Sequence, residues 1–310
     1  MAFRVRQLGN APFSRGGAQD YQELDRAFLA WHTGPFNLCL GRQAIGWGRG
    51  QVFSAVDLFA PFSPTQIDRE WRRGVDAADL DFELTDASSL GLVLAGGPDW
   101  GRSALGARLR GYLGPLDASL LLAKRAEDRM AGLAGSMALG GAEVHAEAAL
   151  FNTPGDVPDN GMFGDPDLVP KLVLGASNNF PVGAGLQATL EYHYSGFAAP
   201  TAADLPAWLS NPDLQARFQR GDSQILLRQA AALVLGTTFS QAFSGGLQVL
   251  QSLVDPSGLA GPSLEWDESD SLSFSLDAFV GWGKGLKDGL PRSQFGATPA
   301  TLLVEARWYG

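Results

Sequence analysis

The residues of this chain best equipped for chemistry fall on two short alternating runs. Glu143, His145 and Glu147 are spaced two apart, as are Glu191 and His193, so on extended strands each set shares one face. Imidazole and carboxylate donors grouped this way are the raw material of a metal site. A strand expected at 168–178 separates the two runs, however, which sets them roughly 10 Å apart at the usual strand spacing, too far for one ion. The expectation for these five residues is a solvated wall, with no metal and no cofactor.

Nucleophilic catalysis has little to work with. The only histidines are His32, His145 and His193, and no G-x-S-x-G elbow is present. Gly41, Gly46, Gly48 and Gly50 lack the Lys-Ser/Thr pair and helix of a phosphate-binding loop, so backbone freedom at a strand end accounts for them better.

Composition narrows the class. The 310 residues carry a formal charge of −10, which argues against a nucleic-acid partner. They are 45 % hydrophobic, yet no apolar run approaches the roughly 18 residues of a membrane helix. Cys39 is the single cysteine, so no internal disulfide forms. The opening MAFRVRQLGN has no apolar signal core, so for an exported protein these 310 residues would be the chain without its leader.

What would position the reactive residues is a series of strands joined by alternately short and long connections. Sixteen are expected: 3–9, then the pairs 23–33/35–46, 77–85/88–96, 102–113/115–124, 129–139/141–151, 168–178/181–194, 224–239/243–254 and 262–268/271–283, and finally 299–309. Most are near the roughly 9 to 11 residues that a tilted strand needs to cross a bilayer. Apolar residues alternate with polar ones, as in Ala142, Val144, Ala146 and Ala148 against Glu143, His145 and Glu147. A soluble β-sandwich would alternate equally well. Aromatics at both strand ends (Trp31, Phe36, Phe180, Phe239, Phe243 and Trp308; Trp47, Trp100, Phe151, Tyr192, Tyr194 and Trp282) favour the girdles of a membrane barrel.

The regular pattern breaks between 48 and 74. Pro61 and Pro64 exclude a strand or a single helix, while Val52, Phe53, Val56, Leu58, Phe59, Phe62 and Trp71 need cover, which predicts an ordered loop folded into the barrel mouth. Its charges, Asp57, Asp68, Arg69, Glu70, Arg72 and Arg73, are candidates for a constriction. A bulge near Gly41 is also expected, since unbroken alternation would turn Arg42 toward lipid; the extra residue would return Ile45 and Trp47 to the outer face.

This block resembles porin-like outer-membrane β-barrel proteins of Gram-negative bacteria, in which a GRQ-x-x-x-WG run (Gly41, Arg42, Gln43, Trp47, Gly48) ends a strand and a D-x-F-x-P-F-S-P segment (Asp57, Phe59, Pro61, Phe62, Ser63, Pro64) follows. The last strand, with Leu302, Val304, Ala306 and Trp308 outward, looks like a closing strand, although that family usually ends on an aromatic residue and here Gly310 follows Tyr309.

The reading is an all-β chain, one antiparallel up-and-down transmembrane β-barrel domain over 1–310, of about sixteen strands with 14–18 compatible. It acts as a passive outer-membrane channel whose partners are the lipid bilayer and small polar solutes, and it is not an enzyme. The other readings are an outer-membrane hydrolase of the phospholipase type, a structural or export-partner barrel, and a soluble β-sandwich. The sequence indicates neither the solute nor the oligomeric state. Candidate pore-lining residues are Asp79, Asp81, Glu83, Arg108, Arg110, Glu143, His145, Glu147, Glu191, His193, Arg228, Glu305 and Arg307. Adding Asp117, Asp277, Arg125 and Lys171 gives nine acids against six bases, and the loop, with Arg49, brings this to twelve against ten. Weak selectivity at most is the expectation, tilted toward cations at low salt if the wall dominates and lost or reversed if the loop's arginines line the constriction.

Overall fold

Alternation along the strands leaves one face of each apolar and the other polar, and the chain resolves this by curling the strands into one sheet. A computed structural model describes residues 3–5, 9–15, 18–61, 64, 72–154, 162 and 165–308. The strands are β1 (Gly9–Arg15), β2 (Ala18–Glu23), β3 (Ala27–Thr33), β4 (Phe36–Gln43), β5 (Val75–Thr85), β6 (Ser88–Ala95), β7 (Ala104–Leu113), β8 (Leu116–Arg125), β9 (Asp128–Leu139) and β10 (Ala142–Asn152). They continue as β11 (Leu168–Phe180), β12 (Leu186–Ser195), β13 (Gln229–Ser240), β14 (Phe243–Ser252), β15 (Gly258–Ser269), β16 (Leu272–Trp282), the short β17 (Leu286–Lys287) and β18 (Leu290–Pro291), and β19 (Thr301–Trp308).

Fifteen strands, β3 to β16 and β19, form one antiparallel up-and-down sheet in which each pairs with its neighbours in sequence. β1 pairs with β2, and β17 with β18, as separate hairpins. The count falls within 14–18, and the difference from sixteen lies at the N-terminus: residues 3–5 are irregular, and the following hairpin is not part of the main sheet among the described residues.

The two faces are distinct. Leu105, Leu109, Leu122, Leu133, Leu174, Leu190, Val280 and Val304 are exposed on the outside, as a lipid-facing belt requires. The opposite face carries Asp79, Asp81, Arg108, Glu147 and Glu191 and is covered by chain over part of its area. Trp31, Trp100, Trp282 and Trp308 are exposed at the strand ends, but Trp47 and Phe151, expected in the girdles, are buried inside. Phe151 packs edge-on against Phe197 at 5.1 Å.

Gly41 brings a second correction. Pairing runs in unbroken register through it on both sides, so there is no extra residue. The irregularity is instead a positive φ of 125°, and a Cβ there would strike the Ala27 carbonyl oxygen. Arg42 is nonetheless buried, because Asp76 directly across the ladder takes its Nε at 2.7 Å and the Leu24 carbonyl accepts from Nη1 at 2.8 Å. Ile45 and Trp47 lie beyond the end of β4, buried on the inside.

The connection between β12 and β13, read from the sequence as a long loop over 195–223, contains two helices, α1 (Leu205–Ser210) and α2 (Pro212–Arg220). Asn211 caps α2 through its side chain, and Gly221 ends it at φ +83°. No helix among the described residues is long and apolar enough to cross a membrane.

Candidate functional site

Residues 49–57 have no strand partner, so their backbone N–H groups must find acceptors elsewhere. They find them in side chains of the inner wall. Glu147 of β10 accepts from the amides of Arg49 and, at 2.7 Å, Gly50 on Oε1; its Oε2 accepts from Ser54 Oγ (2.8 Å), Ala55 N (2.6 Å) and Val56 N (3.2 Å). Glu191 of β12 accepts from Gln51 N on Oε1 and from Val52 N (2.9 Å) and Phe53 N (3.0 Å) on Oε2. Gln224 takes Ser54 N at 2.8 Å, and Ser54 Oγ takes Asp57 N at 3.0 Å. Every amide from 49 to 57 is thus held by a side chain. Converging backbone donors of this kind form an anion-binding concavity, and here the anions belong to the wall.

Burial makes the arrangement consequential. Glu147 and Glu191 are each 1 % exposed, and a carboxylate withdrawn from water without donors would cost several kcal/mol. Charge-assisted bonds, roughly 1.5–3 kcal/mol each, offset that cost and fix the segment. His145 donates from Nε2 to Glu191 Oε1 at 2.9 Å, and His193 stacks on Phe53 at 4.8 Å. These four residues were expected on a solvated wall. They lie instead beneath the segment, because its unpaired amides supply the donors that water would otherwise provide. The two runs, expected too far apart, meet because Gly175 of the intervening strand has no side chain between His145 and Glu191. Among the described residues, no group of three or more His, Cys, Asp or Glu could hold a metal ion.

The remainder of the segment is packed rather than bonded. Trp47 stands edge-on to Phe59 at 5.0 Å and fills the space above Gly106 of β7, with Arg108 over its ring at 5.6 Å. Asp57 is buried against Arg72, which also donates to the Ala60 carbonyl at 2.7 Å. Burial pushes the Asp57 carboxyl above its ordinary 3.8, and the guanidinium offsets this only in part. Gln248 of β14 donates to the Pro64 carbonyl at 2.6 Å, so contacts of the segment run from β7 to β14.

A mixed charged cluster lies beside it. Asp117 receives Arg110 Nη2 at 2.7 Å and Arg49 Nη2 at 2.6 Å, with Arg108, Asp79 and Asp81 half-buried on the neighbouring strands. Glu83, Glu143 and Arg73 are exposed. Arg228 lies just before β13 rather than on it, since residues 227–228 bridge back to Ala199. Glu305 and Arg307 lie together on β19, paired at 3.0 Å. Asp68, Arg69 and Glu70 lie outside the described residues.

Reading the sequence missed a third group, which anchors the second inward connection. Asp222 receives Arg125 Nη1 at 2.6 Å and Arg220 Nη2 at 2.9 Å, while Arg217 of α2 makes a two-pronged bond to Asp128 at 2.6 and 3.0 Å. Burial opposes ionisation of Asp222, but Arg125, Arg220 and Arg217 together hold its carboxyl below the ordinary 3.8. Arg125 and Lys171, counted as lumen bases, are both buried by this packing. The Asn211–Pro212 cap and Gly221 were the available signals for α2.

No family model and no curated protein matches the sequence. Solved structures do share its fold. The outer membrane protein OprD from Pseudomonas aeruginosa matches with a TM-score of 0.53 at 11 % identity, over 94 % of this chain and 79 % of that one. OccK10 (OpdN) of the same organism matches at 0.53 and 10 % identity, over 90 % and 81 %. OpdO of P. aeruginosa matches at 0.50 and 14 % identity, over 90 % and 76 %. With its up-and-down sheet, apolar exterior and inward segment, the fold of this chain is that of the porin-like outer-membrane β-barrels.

Proposed function

We propose that this chain is a bacterial outer-membrane channel for passive diffusion of small polar solutes, narrowed by the segment 48–74. The observation that carries the reading is the run of amides from 49 to 57 held by Glu147, Glu191, Gln224 and Ser54. A loop fixed across the inner face in this way narrows the lumen, and the wall carboxylates rather than its own few contacts hold most of its amides. Support also comes from the exposed apolar belt, which fits the lipid bilayer as partner, and from fold-sharing OprD, an outer membrane protein. Charged groups of both signs beside the segment, Arg49, Arg108, Arg110, Asp79, Asp81 and Asp117, give the narrow region its polarity.

Reconstitution into planar bilayers tests the proposal. Stepwise conductance is expected, with larger steps for a Glu147→Gln/Glu191→Gln double variant whose segment is released. A detergent-extracted protein that shifts mobility on boiling yet gives no conductance would overturn the channel reading while leaving the fold intact.

A further inference from the structure

Below the segment, toward the short turns, the inner wall of β11 to β19 opens into a cavity of about 810 Å³, within the size range of small-molecule sites. Its upper boundary is sharp. Thr189 is buried where its Oγ1 donates to Gln51 Oε1 at 3.0 Å, whereas Gln187, the next inward residue on β12, is exposed.

Register explains the hollow. One lateral row across β12 to β16 reads Gln187, Gly236, Gly246, Ser263, Asp277. Two adjacent glycines remove the side chains from its middle and leave a groove with an amide at one end and a carboxylate at the other. The next row, over β13 to β19, reads Thr238, Ser244, Glu265, Ser275, Glu305. Hydroxyls therefore alternate with acids along the rim. Three carboxylates, Glu265, Asp277 and Glu305, face one guanidinium, Arg307, which lies 3.0 Å from Glu305 and 3.6 Å from Glu265. Asp277 is the one acid on the glycine-floored row and closes it at β16, two residues along that strand from Ser275, which pairs with Glu305.

We propose that this groove is a subsite for small hydroxylated ammonium solutes, with Asp277 receiving the cation and Gln187, Ser263 and Ser244 bonding hydroxyls over the Gly236–Gly246 floor. The inference rests on the channel reading for its place in transport, but not for binding itself. Hydroxyl and amide groups alone would accept any polyol; the excess of carboxylate over guanidinium adds charge discrimination.

Saturation-transfer NMR on the detergent-solubilised full chain, with glucosamine, glucose and glucuronate as probes, tests it. Glucosamine is expected to bind best and glucuronate not at all. Asp277→Asn should weaken glucosamine about tenfold, the size of one lost charge-assisted contact. A Cβ at Gly236 meets nothing within 4 Å, so Gly236→Phe enters the groove from open space at its first carbon and, by filling it, should abolish binding. Each variant is checked for mobility shift on boiling; if Asp277→Asn fails to fold, Gly236→Phe decides alone. Equal saturation of the three sugars, or glucosamine binding unchanged by these variants, overturns the inference. Protein that binds glucosamine through this groove but carries no current upholds it and overturns the channel reading. Protein that conducts without such binding overturns this inference alone.

Discussion

Gly175 stands in register between His145 on β10 and Glu191 on β12, and only its lack of a side chain lets His145 Nε2 reach Glu191 Oε1 at 2.9 Å. A Cβ at this position would collide with the imidazole and approach Glu191 Cγ to 2.9 Å. Gly175→Ala should therefore separate the pair and loosen residues 51–53, at a cost of about 1–3 kcal/mol for the disrupted charged contact. Urea titration read by heat-modifiable mobility measures the loss, and an unchanged midpoint would contradict it.

Removing one carboxylate charge at a time should divide the segment into two halves. Glu191→Gln weakens the hold on 51–53, and Glu147→Gln the hold on 49–50 and 54–56. Each variant is expected to give noisier open-channel current than the parent, with the double variant the noisiest. Equal noise in all three would show that packing by Trp47, Val56 and Phe59 suffices to hold the segment.

Acid should act on two buried aspartates with opposite sign. The folded-state pKa of Asp222 lies below 3.8, so its contribution is complete above that value and is lost as pH falls through the depressed one. The folded-state pKa of Asp57 lies above 3.8, so its ionised form costs stability, and the cost disappears as pH falls through the raised value. Asp222→Asn should thus lower stability at pH 7 and flatten its loss in acid. Asp57→Asn should remove the gain expected on mild acidification. Unfolding midpoints from pH 7 down to pH 2 check both.

Selectivity should depend on the acids nearest the segment. Screening acts over about 8 Å at physiological salt, so distant wall charges contribute little. Asp79 and Asp81 lie on the wall beside Arg108, whereas Glu83 is exposed near the turn. Changing the three together to Asn, Asn and Gln should shift the reversal potential across a salt gradient toward anions, with most of the shift from Asp79 and Asp81. No shift would place these carboxylates off the conducting path.

Period-two alternation made the faces of the sheet readable because it is local: Ala146 and Ala148 face out while His145 and Glu147 face in, as their order along the strand requires. What covers the inward face was not local. Glu147 bonds amides more than ninety residues earlier in the chain, and nothing in its own strand distinguishes a wet carboxylate from a covered one. Trp47 misled for the same reason, since an aromatic residue at a strand end suits lipid or a core equally; the deciding feature is the bare Gly106 facing it on β7. Helix α2 was legible in its Asn211–Pro212 start and Gly221 end and in Leu214 and Phe218 one turn apart, but at nine residues its apolar face is only that one pair.

Glu147 and Glu191 of the wall grip residues 49–53, 55 and 56 through peptide groups, which every residue type but proline provides alike. In the proposed channel, the position of the narrowing and its character are therefore separable. Exchanging Arg49 or Gln51 for a residue of another charge or size would leave the amide at that site bound and give up only side-chain contacts, such as Arg49 with Asp117 and Gln51 with Thr189. Under the channel reading, the aperture is then a replaceable insert in a permanent frame.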